Sequence, residues 1–155
     1  MKSNQSGFTL IELIVVIVIL GILAATIVPR FTNVQIEARS AVVQGMEASV
    51  RSASSMYHGV KLAIGSAAGT AVPQNRFEEV GADVSDVNFY PAGVAAGIQA
   101  LVNDAGTDFT AACAAGVCTW NLTGATTPAT CAVRYTQAGA GAAPVIDLPG
   151  ALAGC

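Results

Sequence analysis

The sequence predicts an α+β fold: a long N-terminal helix packed on a small antiparallel sheet, with a disulfide-containing C-terminal region. Three observations carry that expectation. Residues 8 to 29 form an almost unbroken apolar run, which residues 31 to 64 continue with an amphipathic helical period. Period-two alternation is confined to the last third of the chain. All four cysteines, at positions 113, 118, 131 and 155, stand in that same third.

The first element opens with "GFTLIELIVVIVILGILAAT". From Phe8 to Pro29 there are about 22 residues, which at ~1.5 Å each make a helix of about 33 Å, enough to span a bilayer. Lys2 precedes the run and Arg30 closes it. One carboxylate, Glu12, sits near its start. A carboxylate among aliphatic residues is costly unless it carries a proton or belongs to a pair. The small residue Gly7 precedes the apolar core, at the end of the leader "MKSNQSG", whereas a secretory signal has its cleavage site after the core. Cleavage at Gly7 would keep the helix and make Phe8 its new N-terminus.

Beyond Arg30, Phe31, Val34, Ala38, Ala41, Val42, Gly45, Met46, Ser49, Val50, Ala53, Tyr57, Val60 and Ile64 recur at three- and four-residue steps. Glu37, Arg39, Glu47, Arg51 and Lys61 fall mostly between them. The stripe is rich in small residues, which permits close packing on a sheet. The prediction is one helix from Phe8 to Ile64, ended by Gly65 and about 85 Å long at ~1.5 Å per residue. A compact domain of 155 residues has no room for such a rod. Its first half therefore belongs to a membrane or a polymer.

After Gly65, "GSAAGTAVPQ" reads as loop, and a short helix is expected in "VAAGIQALV" despite Gly97. The spacing of Asp83, Asp86, Asp104 and Asp108 fits no calcium loop and predicts a solvated acidic surface. "CTWNL" places Cys118, Trp120 and Leu122 on one face of a strand; "CAVRY" does the same for Cys131, Val133 and Tyr135. "TGATTPAT" joins them as an antiparallel hairpin, "APVIDL" supplies a further strand, and Trp120 is expected in the core.

The composition is 53% hydrophobic and only 11% charged, with a net charge of −3. The basic residues form no stripe, so a dedicated nucleic-acid site is not expected. An even cysteine count in one Gly/Thr-rich region implies disulfides and an oxidising compartment. Four cysteines allow three pairings, one of which joins Cys118 to Cys131 across the hairpin. Zinc is disfavoured by the spacings and by the distance of His58 in sequence. His58 has no Cys or Asp nearby for a triad, and no glycine loop is built to cradle phosphate. No catalytic residue, metal or cofactor is expected.

"GFTLIELIVVIVILGILAATIVPRF" resembles the N-terminus of a type IV pilin. The resemblance implies that a prepilin peptidase cuts between Gly7 and Phe8 and N-methylates Phe8. It makes Glu12 the acidic residue that meets a neighbour's Phe8 amine and sets the stagger between subunits. It assigns Gly21 and Pro29 to a pliable segment of the helix. It divides the chain into a cleaved leader (1–7), a transmembrane and polymerisation helix (8–29) and an exported head (30–155). The head comprises helix 30–64, a variable loop 65–107, and a sheet with C-terminal loop 108–155. In this family a disulfide commonly delimits the C-terminal exposed region, which suggests Cys131–Cys155; Cys113–Cys118 would then close "CAAGVC". The ending "CAVRYTQAGAGAAPVIDLPGALAGC" is similar to pilins of the mannose-sensitive haemagglutinin type.

The expected function is thus a structural subunit that polymerises with other pilin subunits through its helix. Its implied partners are the peptidase, the inner-membrane assembly machinery and the membrane itself. Its implied route runs from the inner membrane to an extracellular pilus. A pseudopilin of a type II secretion system and a membrane-anchored binding domain are the alternatives.

Overall fold

The computed structural model describes residues 7–77, 81–102 and 108–155, without the side chains of residues 28–33 and 74. The leader residues 1–6, Asp104, and the side chains of Pro29, Arg30 and Phe31 lie outside the described residues. The chain divides into two units, Met1–Glu37 and Ala38–Cys155. Helix α1 spans Leu10–Ala63 and supplies residues to both.

In the first unit α1 is a run of aliphatic residues that stay exposed among the described residues. None of the span Leu10–Ile27 is buried. The helix passes through Gly21 and Pro29 without a break.

The second unit holds the core. Val43, Met46, Val50 and Ala53 of α1 pack with Ile98, Trp120, Val133 and Tyr135. The buried positions step by three and four, as one helical face requires. This face is turned slightly from the predicted one: Val43 is fully buried, while Val42 is 46% exposed. Two adjacent valines cannot both face the sheet, and hydropathy alone does not choose between them. A second cluster joins Tyr57 to Val72, Phe77 and Val84. There the Tyr57 and Phe77 rings stack at 5.7 Å.

The sheet is an antiparallel meander of β3 (Phe109–Ala114), β4 (Val117–Leu122), β5 (Ala132–Thr136) and β6 (Val145–Asp147). A two-stranded ribbon of β1 (Asp86–Val87) and β2 (Tyr90–Pro91) precedes it. Cys118, Trp120 and Leu122 share the buried face of β4. Strand β3, "FTAACA", goes beyond the sequence reading, because three alanines give little strand propensity. Its order comes from pairing along its whole length with β4. The β3–β4 turn places Ala115 and Gly116 at φ of 51° and 81°. Positive φ at both central residues makes a hairpin turn whose twist matches the strands.

The disulfides are Cys113–Cys118 and Cys131–Cys155. The first joins directly opposed residues of β3 and β4. The second ties the end of the chain to the start of β5. It closes over a tight approach, since a Cβ on Gly154 would lie 2.4 Å from the Thr127 carbonyl oxygen. Arg39 of α1 donates to the Cys155 carbonyl at 3.0 Å, holding the same loop from the other side. The expected helix in "VAAGIQALV" is a single π turn, Ala95–Gln99, with Gly97 outside helical geometry. A Cβ on Gly97 would lie 2.1 Å from the Ala92 carbonyl oxygen, so the close approach depends on glycine.

Candidate assembly and anchoring site

The first unit carries only three polar side chains between Phe8 and Ile27: Thr9, Glu12 and Thr26. Each has a partner within its own turn. The Thr26 hydroxyl donates to the Leu23 carbonyl at 2.9 Å. Thr9 donates twice to Glu12 Oε2, from its backbone N–H at 2.9 Å and its hydroxyl at 2.7 Å. In return the Glu12 N–H donates to Thr9 Oγ1 at 3.4 Å. This is a capping box, in which an N-terminal Thr and the Glu three residues on satisfy each other's free groups. The sequence carries its signature, Thr-x-x-Glu, in "TLIE", hidden at the edge of the apolar run.

The box bears on the cost of placing an acid in the apolar run. Phe8, Ile11, Val15 and Val16 surround Glu12 on the same surface. Lipid offers no hydrogen bonds, so polar groups that enter it must be satisfied from within the chain. Thr9 satisfies one carboxylate oxygen of Glu12. Among the described residues, Oε1 accepts no hydrogen bond. Gly7 and Phe8 lie just before the helix and are exposed, with Phe8 at 82%.

The head contains a second charge in an apolar setting. Lys61, expected on the polar side of α1, is fully buried, and so is the Asp86 side chain. The Lys61 Nζ stands 3.0 Å from Asp86 Oδ1 and also donates to the Thr70 carbonyl. Asp86 Oδ2 accepts the Gly69 N–H at 2.9 Å. Asp86 is therefore part of a buried clamp across the loop after α1 and not part of a solvated acidic surface. Continuing the buried stepping past Tyr57 lands on Lys61, a signal that treating every charged residue as surface conceals. Burial, reinforced by the nearby Asp86 charge, raises the Tyr57 pKa; burial, with a smaller contribution from Tyr90, pushes Tyr135 up to about 12.

His58 lies flat on Tyr90, with ring centroids 4.1 Å apart, and its Nδ1 donates to the Phe89 carbonyl at 3.1 Å. Cys113 and Cys118 are joined to each other, as are Cys131 and Cys155.

The apolar helix that Thr9 and Glu12 cap is, over Leu10–Ile27, long and apolar enough to cross a membrane, and the same chain carries a disulfide-bonded β head. Residues 2–28 match the model of the prokaryotic N-terminal methylation motif. The chain is 46% identical over 56 residues to the type II secretion system core protein G of Pseudomonas aeruginosa, covering 36% of this chain and 39% of the relative. It is 57% identical over 50 residues to the type IV narrow pilus major component PilA5 of Thermus thermophilus, covering 32% and 43%. It is 61% identical over 33 residues to the type IV major fimbrial protein FimA of Dichelobacter nodosus, covering 21% of each. The matches thus span less than half the length of these relatives. No solved structure matches the chain. The likeness lies in the N-terminal part of the chain, and the proteins that share it are type IV pilus components and a type II secretion core protein.

Proposed function

We propose that this chain is a structural subunit of a type IV pilus of the mannose-sensitive haemagglutinin type. The observation that carries the polymer reading is the bare span Leu10–Ile27. Exposed in water, that apolar surface would be untenable, and burying it at ~25 cal/mol per Å² is a large driving force. The membrane takes it up first and neighbouring subunits take it up afterwards. Cleavage between Gly7 and Phe8 by a prepilin peptidase, with methylation of Phe8, yields the mature end. Glu12 then meets the Phe8 amine of a neighbour, and any other stagger strands a charge in an apolar medium. Gly21 and Pro29, poor helix formers within α1, supply pliability as the fibre forms. The subunit has no enzymatic role and needs no cofactor. It passes from an inner-membrane pool, through the assembly machinery, to an extracellular fibre.

The similarity to a secretion core protein favours a second reading, a pseudopilin in a periplasmic fibre. The two C-terminal disulfides support the surface fibre instead. Electron microscopy of fibres sheared from intact cells, with peptide identification, separates the two. Surface fibres containing this chain support the pilus. Fibres only in the periplasm support the pseudopilin.

A further inference from the structure

Glu12 uses its two oxygens differently. Oε2 takes both Thr9 donors, at 2.9 and 2.7 Å, while Oε1 accepts nothing among the described residues. We propose that Thr9 is a positioning residue for assembly: it fixes the Glu12 rotamer through Oε2 and so presents Oε1 to a cation on a second copy of this chain. The inference rests on the polymer reading above and deepens it by naming the residue that aims the acid.

The chemistry follows from geometry. A free glutamate side chain has three rotatable bonds, and ordering it at the moment of contact costs conformational entropy. The capping box imposes that order in the lone subunit, so less is lost on pairing. It also keeps the carboxylate hydrogen-bonded while the helix waits in lipid, without using the oxygen the neighbour needs. A charged acceptor strengthens both Thr9 hydrogen bonds.

Helix capping alone is a competing role, and glycine separates the two. At an N-cap position glycine is nearly as good as threonine, costing only a few tenths of a kcal/mol, but it has no hydroxyl to hold Glu12. Wild type, Thr9→Ser, Thr9→Gly and Thr9→Val are compared in cells for fibre yield per processed membrane subunit, with processing read by mass spectrometry. The expected result is wild-type yield for Ser and about tenfold less for Gly and Val, the scale of losing one hydrogen bond to a charged group. The Val variant carries the comparison if the Gly variant is not cut. Wild-type yield from Gly or Val overturns the proposal and leaves the polymer reading standing. Absence of fibres in wild type removes the polymer reading, and the proposal with it.

Discussion

Leu10–Ile27 and Val43–Lys61 belong to one helix, yet they meet opposite conditions. In the first, no residue of the span is buried. In the second, Val43, Val50, Tyr57 and Lys61 lose all exposure. Each segment carries one charge in apolar surroundings, and each solves it differently. Glu12 takes its partner from three residues away, whereas Lys61 takes Asp86 from 25 residues away. A local partner works before any other structure exists and leaves the surrounding apolar surface free. A distant partner works only once the head has folded, and it locks the loop that follows the helix. The first solution suits a segment that must change surroundings, the second a segment that must not.

Removing half of the distant pair should produce the largest effect. Asp86→Ala leaves Lys61 buried and unpaired, a change that typically costs ~3–5 kcal/mol. The double variant Lys61→Met with Asp86→Leu should recover most of that loss, because well-packed apolar replacements of a buried pair are often neutral. Chemical denaturation of the full chain in detergent, followed by Trp120 fluorescence, measures both. An Asp86→Ala variant as stable as wild type would show that the clamp contributes nothing.

The disulfides extend the contrast between local and distant ties. Cys131–Cys155 spans 24 residues and Cys113–Cys118 spans 5. The chain-entropy estimate gives roughly 3 kcal/mol for the longer loop and roughly 2 for the shorter. Paired Ser replacements should rank in that order, and reduction of Cys131–Cys155 should also raise hydrogen exchange in residues 149–155. Equal losses would mean that the hairpin depends on its bridge as strongly as the C-terminal loop does.

Much of this arrangement is legible in the sequence, and the rest fails for identifiable reasons. The apolar run, the alternation of Cys118, Trp120 and Leu122, and the strand in "APVIDL" are periodic signals strong enough to place elements. β3 carries no such signal, because its order comes from its neighbour. Val42 and Val43 cannot be ranked by hydropathy when both flank a plausible stripe. Lys61 and Asp86 look like surface charges until folding brings them together. At the site, Glu12 stands out as an anomaly, while Thr9 is concealed by its ordinariness. The Thr-x-x-Glu spacing holds the information, but the apolar run draws attention away from it.

Alkaline titration probes the buried segment through its tyrosines. The folded-state pKa of Tyr135 is pushed up to about 12, and that of Tyr57 is raised as well. The unfolded chain loses these protons near pH ~10, so above that pH it binds fewer protons than the folded head. The contribution of the two tyrosines to stability should be constant below pH ~10 and fall as pH rises toward 12, by up to about 1.4 kcal/mol per pH unit for each tyrosine. Tyr135→Phe should flatten the slope, as read from denaturation midpoints across that range. The finest test compares neighbours. Val43→Ala should cost about 2 kcal/mol through lost burial and a residual cavity, while Val42→Ala should fall within ~0.5 kcal/mol of wild type.

On the proposed reading, the bare segment is covered by other subunits in a register that Glu12 helps to set. Glu12→Val tests it most directly, by comparing fibre yield with the pool of processed, membrane-bound subunit. The valine side chain keeps the surface apolar and eases insertion, since acids are disfavoured in membrane helices. The account predicts a membrane pool at or above the wild-type level, a folded and disulfide-bonded head, and a collapse in fibre yield, because a neighbour's Phe8 amine would enter the assembly without a partner. Normal fibres from Glu12→Val would contradict it.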